Sequence, residues 1–324
     1  MLFWKDPRDF IAKTALRVSY IGNKTDDIIV SPDLNQIRPN TQGYAALAGT
    51  RPFQDWNVVA TRDNGAHSRY DGLQSAITRR FSKGLTVDAS YTLARQLSDA
   101  GGSVPSDFPT ENGPSLLNTF RGPEDDYGPM PFTRRHRFVA TFLYQLPFGR
   151  GRTFGNGMGP GLDLIAGGWD LAGVALAQSG PFLTPFFTGG DPSGTGANVR
   201  GFTSTTRPDQ AGDGNVANPT ENQFFDPKAF VLPANNIGRF GNAAVGSLIG
   251  PVTKVFSMTI GKSFTLAGTS RVRFEAAFSN LFDTENLGLP NRNVRSAQFG
   301  LVTATQTVDQ AAPRTVQFSL RYSF

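Results

Sequence analysis

The chain closes on RTVQFSLRYSF, residues 314–324, which alternates polar and apolar side chains without a break. Val316, Phe318, Leu320, Tyr322 and Phe324 share one face, while Thr315, Gln317, Ser319, Arg321 and Ser323 share the other. Side chains two apart lie on one side of the backbone only in an extended strand, so this stretch is a strand with an oily and a wet face. The same period returns at residues 14–21, 70–81, 85–96, 137–148, 168–178, 253–264 and 271–282. In 85–96, Leu85, Val87, Ala89, Tyr91 and Leu93 oppose Thr86, Asp88, Ser90 and Thr92. Ser82-Lys83-Gly84 makes a tight turn before it, so 70–96 reads as a hairpin. Around Gly173 the phase slips between Trp169/Leu171 and Val174/Leu176, which predicts a β-bulge.

The connections alternate in length. Short or medium turns at 82–84, 149–161 and 265–268 are interleaved with long segments at 98–133, 188–250 and 283–313. Residues 23–66 are mostly polar and turn-rich, with 56–62 a candidate short hairpin arm; 299–307 is a further strand-like stretch. Outer-membrane barrels join their strands by short periplasmic turns and longer extracellular loops, which is this alternation. The fold expected is all-β: an antiparallel transmembrane β-barrel contributing about eight membrane strands. Arg17, Asp88, Arg137, Arg271, Arg273, Glu275 and Arg321 fall on the wet faces. An Arg or Lys facing lipid at mid-bilayer costs ~2–4 kcal/mol, so these charges must line a watery lumen. The competing fold is a soluble β-sandwich that seals its apolar faces sheet on sheet. Phenylalanine density on those faces, and long Gly-rich loops unsuited to a compact core, weigh against it.

Composition fits. Of 324 residues 39% are hydrophobic, and 36 Gly and 22 Pro leave little room for helix. No stretch approaches the ~20 consecutive apolar residues of a membrane helix, which is no objection to a barrel. With no cysteine, neither disulfides nor thiolate metal sites can form. The 31 Lys and Arg against 26 Asp and Glu are dispersed rather than blocked, so nucleic acid is not expected as a partner. Lys5, Asp6, Arg8 and Asp9 interrupt any apolar core near the start, so no signal peptide is read there. The chain is expected to be the C-terminal part of something longer.

Several stretches in order resemble the TonB-dependent outer-membrane receptors, in particular their Oar-like group. They are LRVSYIGNK (16–24) with DLNQ (33–36), residues 68–99, and RRHRFVATFLYQLPFGRGR (134–152). RPDQAGD (207–213), FFDPKAF (224–230), RFGNAAVGSLIGP (239–251), residues 272–291 and the closing PRTVQFSLRYSF continue the series. The resemblance implies a barrel of about 22 strands, with an N-terminal plug and a short segment touching a TonB-type energy transducer; neither is recognisable here. It further implies coupled transport of a large solute, with outer-membrane lipid and the barrel-assembly machinery as partners. Phe318, Leu320, Tyr322 and Phe324 match the aromatic-terminated assembly signal of such barrels. A non-transporting barrel with an adhesive or structural role through its long loops is the alternative.

Catalysis is not expected, and no cofactor is implied. His67 and His136 stand beside arginines without the partners of a triad or zinc site. Residues 155–159 are Gly-rich but lack the Lys-Ser/Thr and the helix of a phosphate loop. Glu124, Asp125 and Asp126, and Asp209 with Asp213, offer carboxylates for calcium but lack its loop spacing, and read as solvated loop acids. Arg271, Arg273, Glu275 and Arg321 lie on inward faces of adjacent strands and read as a lumen ion-pair ladder.

Overall fold

A computed structural model describes residues 13–82, 84–101, 115–197, 205–265, 270–307 and 311–324. The stretch 1–10, Lys83 and the turn at 266–268 lie outside the described residues. Eight long strands form one antiparallel sheet in strict chain order: β1 Thr14–Val30, β2 Asp63–Ser82, β3 Leu85–Ser98, β4 His136–Gln145, β5 Trp169–Gln178, β6 Thr253–Thr265, β7 Arg271–Ser279 and β8 Thr315–Ser323. All pair as sequential neighbours, which is the meander of a barrel wall. The end strands β1 and β8 do not pair with each other among the described residues.

Register carries one apolar face across the whole sheet. Tyr20 stands opposite Leu73 and Leu73 opposite Leu93. Tyr91 then faces Phe138, Leu171 faces Ile260 and Phe274 faces Leu320. Rings stack along this face, Phe142 on Phe256 at 6.3 Å and Phe274 on Phe318 at 6.1 Å. It lies open at the edge strand, where Phe318 is 68% exposed and Leu320 74%. A second large sheet, which a soluble sandwich needs, does not exist among the described residues. Such a face is stable only against hydrocarbon, where the pairing of each strand with its neighbours satisfies the backbone. The opposite face is mainly polar, with Arg17, Thr78, Asp88, Asp170, Glu275 and Arg321 on it.

The structure differs from the periodicity in several places. β1 and β2 run well past residues 21 and 70, pairing as far as Val30 opposite Asp63. Their upper halves hold Asn23, Lys24, Asp26 and Asp27; water wets both faces there, so no alternation marks the strand. Residues 56–62 make an isolated bridge, Asp33 to Ala60, rather than a hairpin arm, and 299–307 likewise only bridges Leu287 to Thr305. No bulge occurs at Gly173, since β5 pairs with β4 and β6 in unbroken register. A Cβ on Gly173 would lie 2.4 Å from the Phe142 ring of the neighbouring strand, so this glycine makes room for an aromatic. Val174 and Leu176 simply lie on the inward face.

The core is also elsewhere than expected. Four long connections, 31–62, 99–135, 179–252 and 280–314, all leave the same end of the sheet. Leu183, Phe224, Phe225, Ala229, Phe230, Ala243, Leu248 and Val302 pack together within two of them. The long Gly-rich loops thus do build a compact core, because FFDPKAF folds its rings inward: Phe225 meets Phe224 edge-on at 5.4 Å and Phe299 at 5.9 Å. Loops have become a cap. At the opposite end, residues 149–161 continue into an unexpected short helix, α1 Pro160–Ala166, with proline in its first turn.

Candidate functional site

Buried polar residues tie the four loops to one another. DLNQ is the first of these ties. Asp33 Oδ1 accepts the backbone N–H groups of Asn35 and Val59 at 2.9 and 3.1 Å. Asn35 donates to the carbonyls of Phe53 and Trp56, and Gln36 bridges to the Leu117 carbonyl and the Thr119 N–H. Asn40 donates its side-chain amide to the Gly194 carbonyl, joining the first loop to the third. The Phe224 N–H reaches the Gly300 carbonyl at 2.9 Å, joining the third to the fourth. These cross-loop bonds hold the cap rather than leave it loose.

Between the first three loops lies a cleft of about 570 Å³, lined by Asn118, Arg121, Tyr127, Arg207, Arg239 and Asn242 among others. Its guanidinium groups are set by carboxylates. Arg239 grips Asp209 with two bonds of 2.7 Å, and Arg121 lies 3.2 Å from Asp125. Hydrogen bonding from Arg239 holds Asp209 below the usual carboxylate range, and bonds from Asn215 do the same for Asp213. Arg207 is buried; its Nη2 donates to the Asp125 carbonyl at 2.5 Å and stands 3.6 Å from Asp126 Oδ1. Asp126 is wholly buried, contrary to the expectation of a solvated loop acid. Burial, outweighing the nearby Arg207 charge, pushes its carboxyl up to about 6, and burial likewise lowers Arg207. Among the described residues no cluster of three or more His, Cys, Asp and Glu is arranged for a metal. The cleft offers hydrogen bonds, charge and two aromatic flanks, Tyr127 and Phe240.

The inward wall holds a second polar group. Arg273 bonds Asp170 through both terminal nitrogens at 2.8 Å and Glu275 through Nε at 2.6 Å; Ser319 reaches Glu275 at 3.4 Å. Of the four ladder candidates, Arg273 and Glu275 are therefore joined, and Arg321 stands directly opposite Arg273 on β8. Arg271 and Arg321 make no ion pair among the described residues. The missing member was Asp170, two strands away on β5. Arg273 reaches it across Gly261, where an added Cβ would stand 2.4 Å from the guanidinium. A glycine inside a strand is the signal that something passes close by.

The other candidates are accounted for locally. His67 sits 3.6 Å from Asp99 and 3.9 Å from Asp26, and His136 Nδ1 lies 2.7 Å from the Tyr91 hydroxyl. Phe318, Leu320 and Tyr322 line the outward face of the edge strand β8, and Phe324, just beyond it, is 93% exposed.

No curated protein matches the chain. Among solved structures it is similar to the outer membrane transporter YddB from Escherichia coli, with TM-score 0.45 and 9% identity over 95% of this chain. The chain spans 30% of that transporter's length. The family model for the outer membrane beta barrel domain matches residues 7–317. With its single meandering sheet and open apolar face, the chain belongs to the outer membrane β-barrel domain family, and its place is the bacterial outer membrane.

Proposed function

We propose that the chain is the C-terminal wall and extracellular cap of a TonB-dependent receptor of the Oar-like type, serving energy-coupled passage of a large solute. One observation carries this: of four cross-tied loops, three line a charged cleft at the end of a wall whose other face is polar. Loops free to vary would not need buried Asp33, Asn35 and Gln36 to fix them. Eight strands closed alone would leave room only for side chains, and an open arc leaves two edges that lipid penalises. Further strands are therefore proposed to complete the barrel, with a plug inside it on which the transducer acts. Solute is taken up in the cleft between Arg121, Arg207 and Arg239, then admitted when the plug yields.

The test uses cells carrying the complete gene or its deletion, fed a defined mixture of peptides, oligosaccharides and metal chelates. Depletion of one component should require the gene and should stop on adding a protonophore. Depletion indifferent to the protonophore would refute energy coupling. Equal depletion by both strains, with surface attachment lost in the deletion, would favour an adhesive barrel.

A further inference from the structure

The short-turn end carries a feature that neither wall nor cap explains. Helix α1 exposes Leu162, Leu164 and Ile165 at 57%, 57% and 70%. Its one charged residue, Asp163, turns away from them, and its Oδ1 accepts the Arg150 backbone N–H at 2.7 Å. The helix is seated on the outward face of the wall. Lys262 and Trp169 are cross-strand partners on that face. The Lys262 ammonium donates to the carbonyls of Ile165 and Gly167 at 2.9 and 2.6 Å, and the Trp169 indole donates to Ile165 at 2.9 Å. Lys262 Nζ also lies 4.5 Å from the centre of the Trp169 ring. A lysine buried on an otherwise oily face thus finds its counter-charge in the carbonyl end of the helix.

Beside the helix, a cleft of about 470 Å³ is lined by Phe148, Arg150, Arg152, Asp163, Leu164 and Phe264 among others. Among the described residues Arg150 and Arg152 make no ion pair, and the Arg152 guanidinium donates to Gln145 at 3.4 Å. Exposed Phe148 and Phe154 pack at 5.5 Å over the same turn. Two guanidinium groups against one engaged carboxylate leave the cleft net positive. Apolar side chains flank it, and it runs on from a wall already in contact with acyl chains.

We propose that this turn binds an anionic phospholipid of the adjoining periplasmic leaflet, its phosphate between Arg150 and Arg152 and its acyl chains over Leu162, Leu164 and Ile165. The occupant follows from charge and continuity: a soluble anion would not need the oily helix, and a neutral lipid would not need two free arginines. The site stands on the membrane placement of the wall and does not depend on what is transported.

Trp169 supplies the reporter, since it is one of three tryptophans and touches the helix. The full chain with Trp4 and Trp56 changed to Phe is placed in nanodiscs containing phosphatidylcholine or phosphatidylglycerol with brominated acyl chains. At equal mole fraction, brominated phosphatidylglycerol should quench Trp169 well below the level reached by phosphatidylcholine. R150Q/R152Q should abolish the difference, at roughly fivefold in apparent affinity for each arginine. L162S/I165S should weaken quenching by both lipids. Equal quenching in the parent, or none by either lipid, overturns the proposal. Lipid retained through mild-detergent purification gives a second readout. Phosphatidylglycerol should be enriched on the parent over R150Q/R152Q, and equal retention refutes the site.

Discussion

Asp126 shows how one residue can contradict its surroundings. A carboxyl in an acidic run, Glu124-Asp125-Asp126, ought to lie in water; this one is sealed beneath the cleft, 3.6 Å from an equally buried Arg207. Neither Asp126 Oδ1 nor Arg207 Nε has a hydrogen bond. The carboxyl is raised from 3.8 to about 6 in the folded cap. Between those values the folded cap holds a proton that the unfolded chain has released. The contribution of this carboxyl to cap stability is therefore greatest below about pH 4, declines as pH rises towards 6, and is level above that. Urea midpoints of cap unfolding, read by protease susceptibility from pH 4 to 7.5, should fall over this window in the parent. D126N should flatten the curve. R207M, by removing the cation, should push the window upward and cost ~3–5 kcal/mol above it, because a buried charge then lacks a partner.

At the scale of elements, each strand on its own is simple and the difficulty lies between strands. Alternation located all eight, since lipid on one side and water on the other impose a period of two. It gave poor ends for β1 and β2, where the charged run Lys24 to Asp27 is exposed and the strands close on Val30 and Ala66 packed against Leu116 of the second loop. It misread Gly173, because a glycine chosen to admit Phe142 and a glycine at a bulge look alike in one dimension. Gly261 is the more consequential case, as the Arg273–Asp170 pair crosses β6 over it. G261V should force the guanidinium aside while leaving the ladder of β6 intact. Because the pair is only partly buried, the cost should stay within ~1 kcal/mol for the lost bridge. Thermal unfolding in detergent measures that cost, and G261V/D170N should be no less stable than G261V alone. A clear further loss in the double variant would show that the bridge survives the valine.

The whole molecule divides by solvent into two regions. The wall is stabilised by hydrogen-bonded strands whose side chains face lipid, whereas the cap has an ordinary water-excluding core around Phe225. F225A should cost the cap ~3–5 kcal/mol through lost burial and the cavity left behind. Limited proteolysis should then cut within 205–250, while the heat-modifiable mobility of the wall in gels stays as in the parent. Loss of both together would mean that cap and wall fold as one unit.

What the linear chain settled by itself was the alternation, the strand count and the end from which the long loops leave. These follow from local periodicity and from turn lengths, which need no knowledge of neighbours. The packed cap, the cleft, the reach of Arg273 to Asp170 and the seating of α1 on the outer wall were decided only by the tertiary structure. Each depends on residues tens of positions apart, and a buried aspartate or an exposed leucine looks the same as any other until its neighbours are in place.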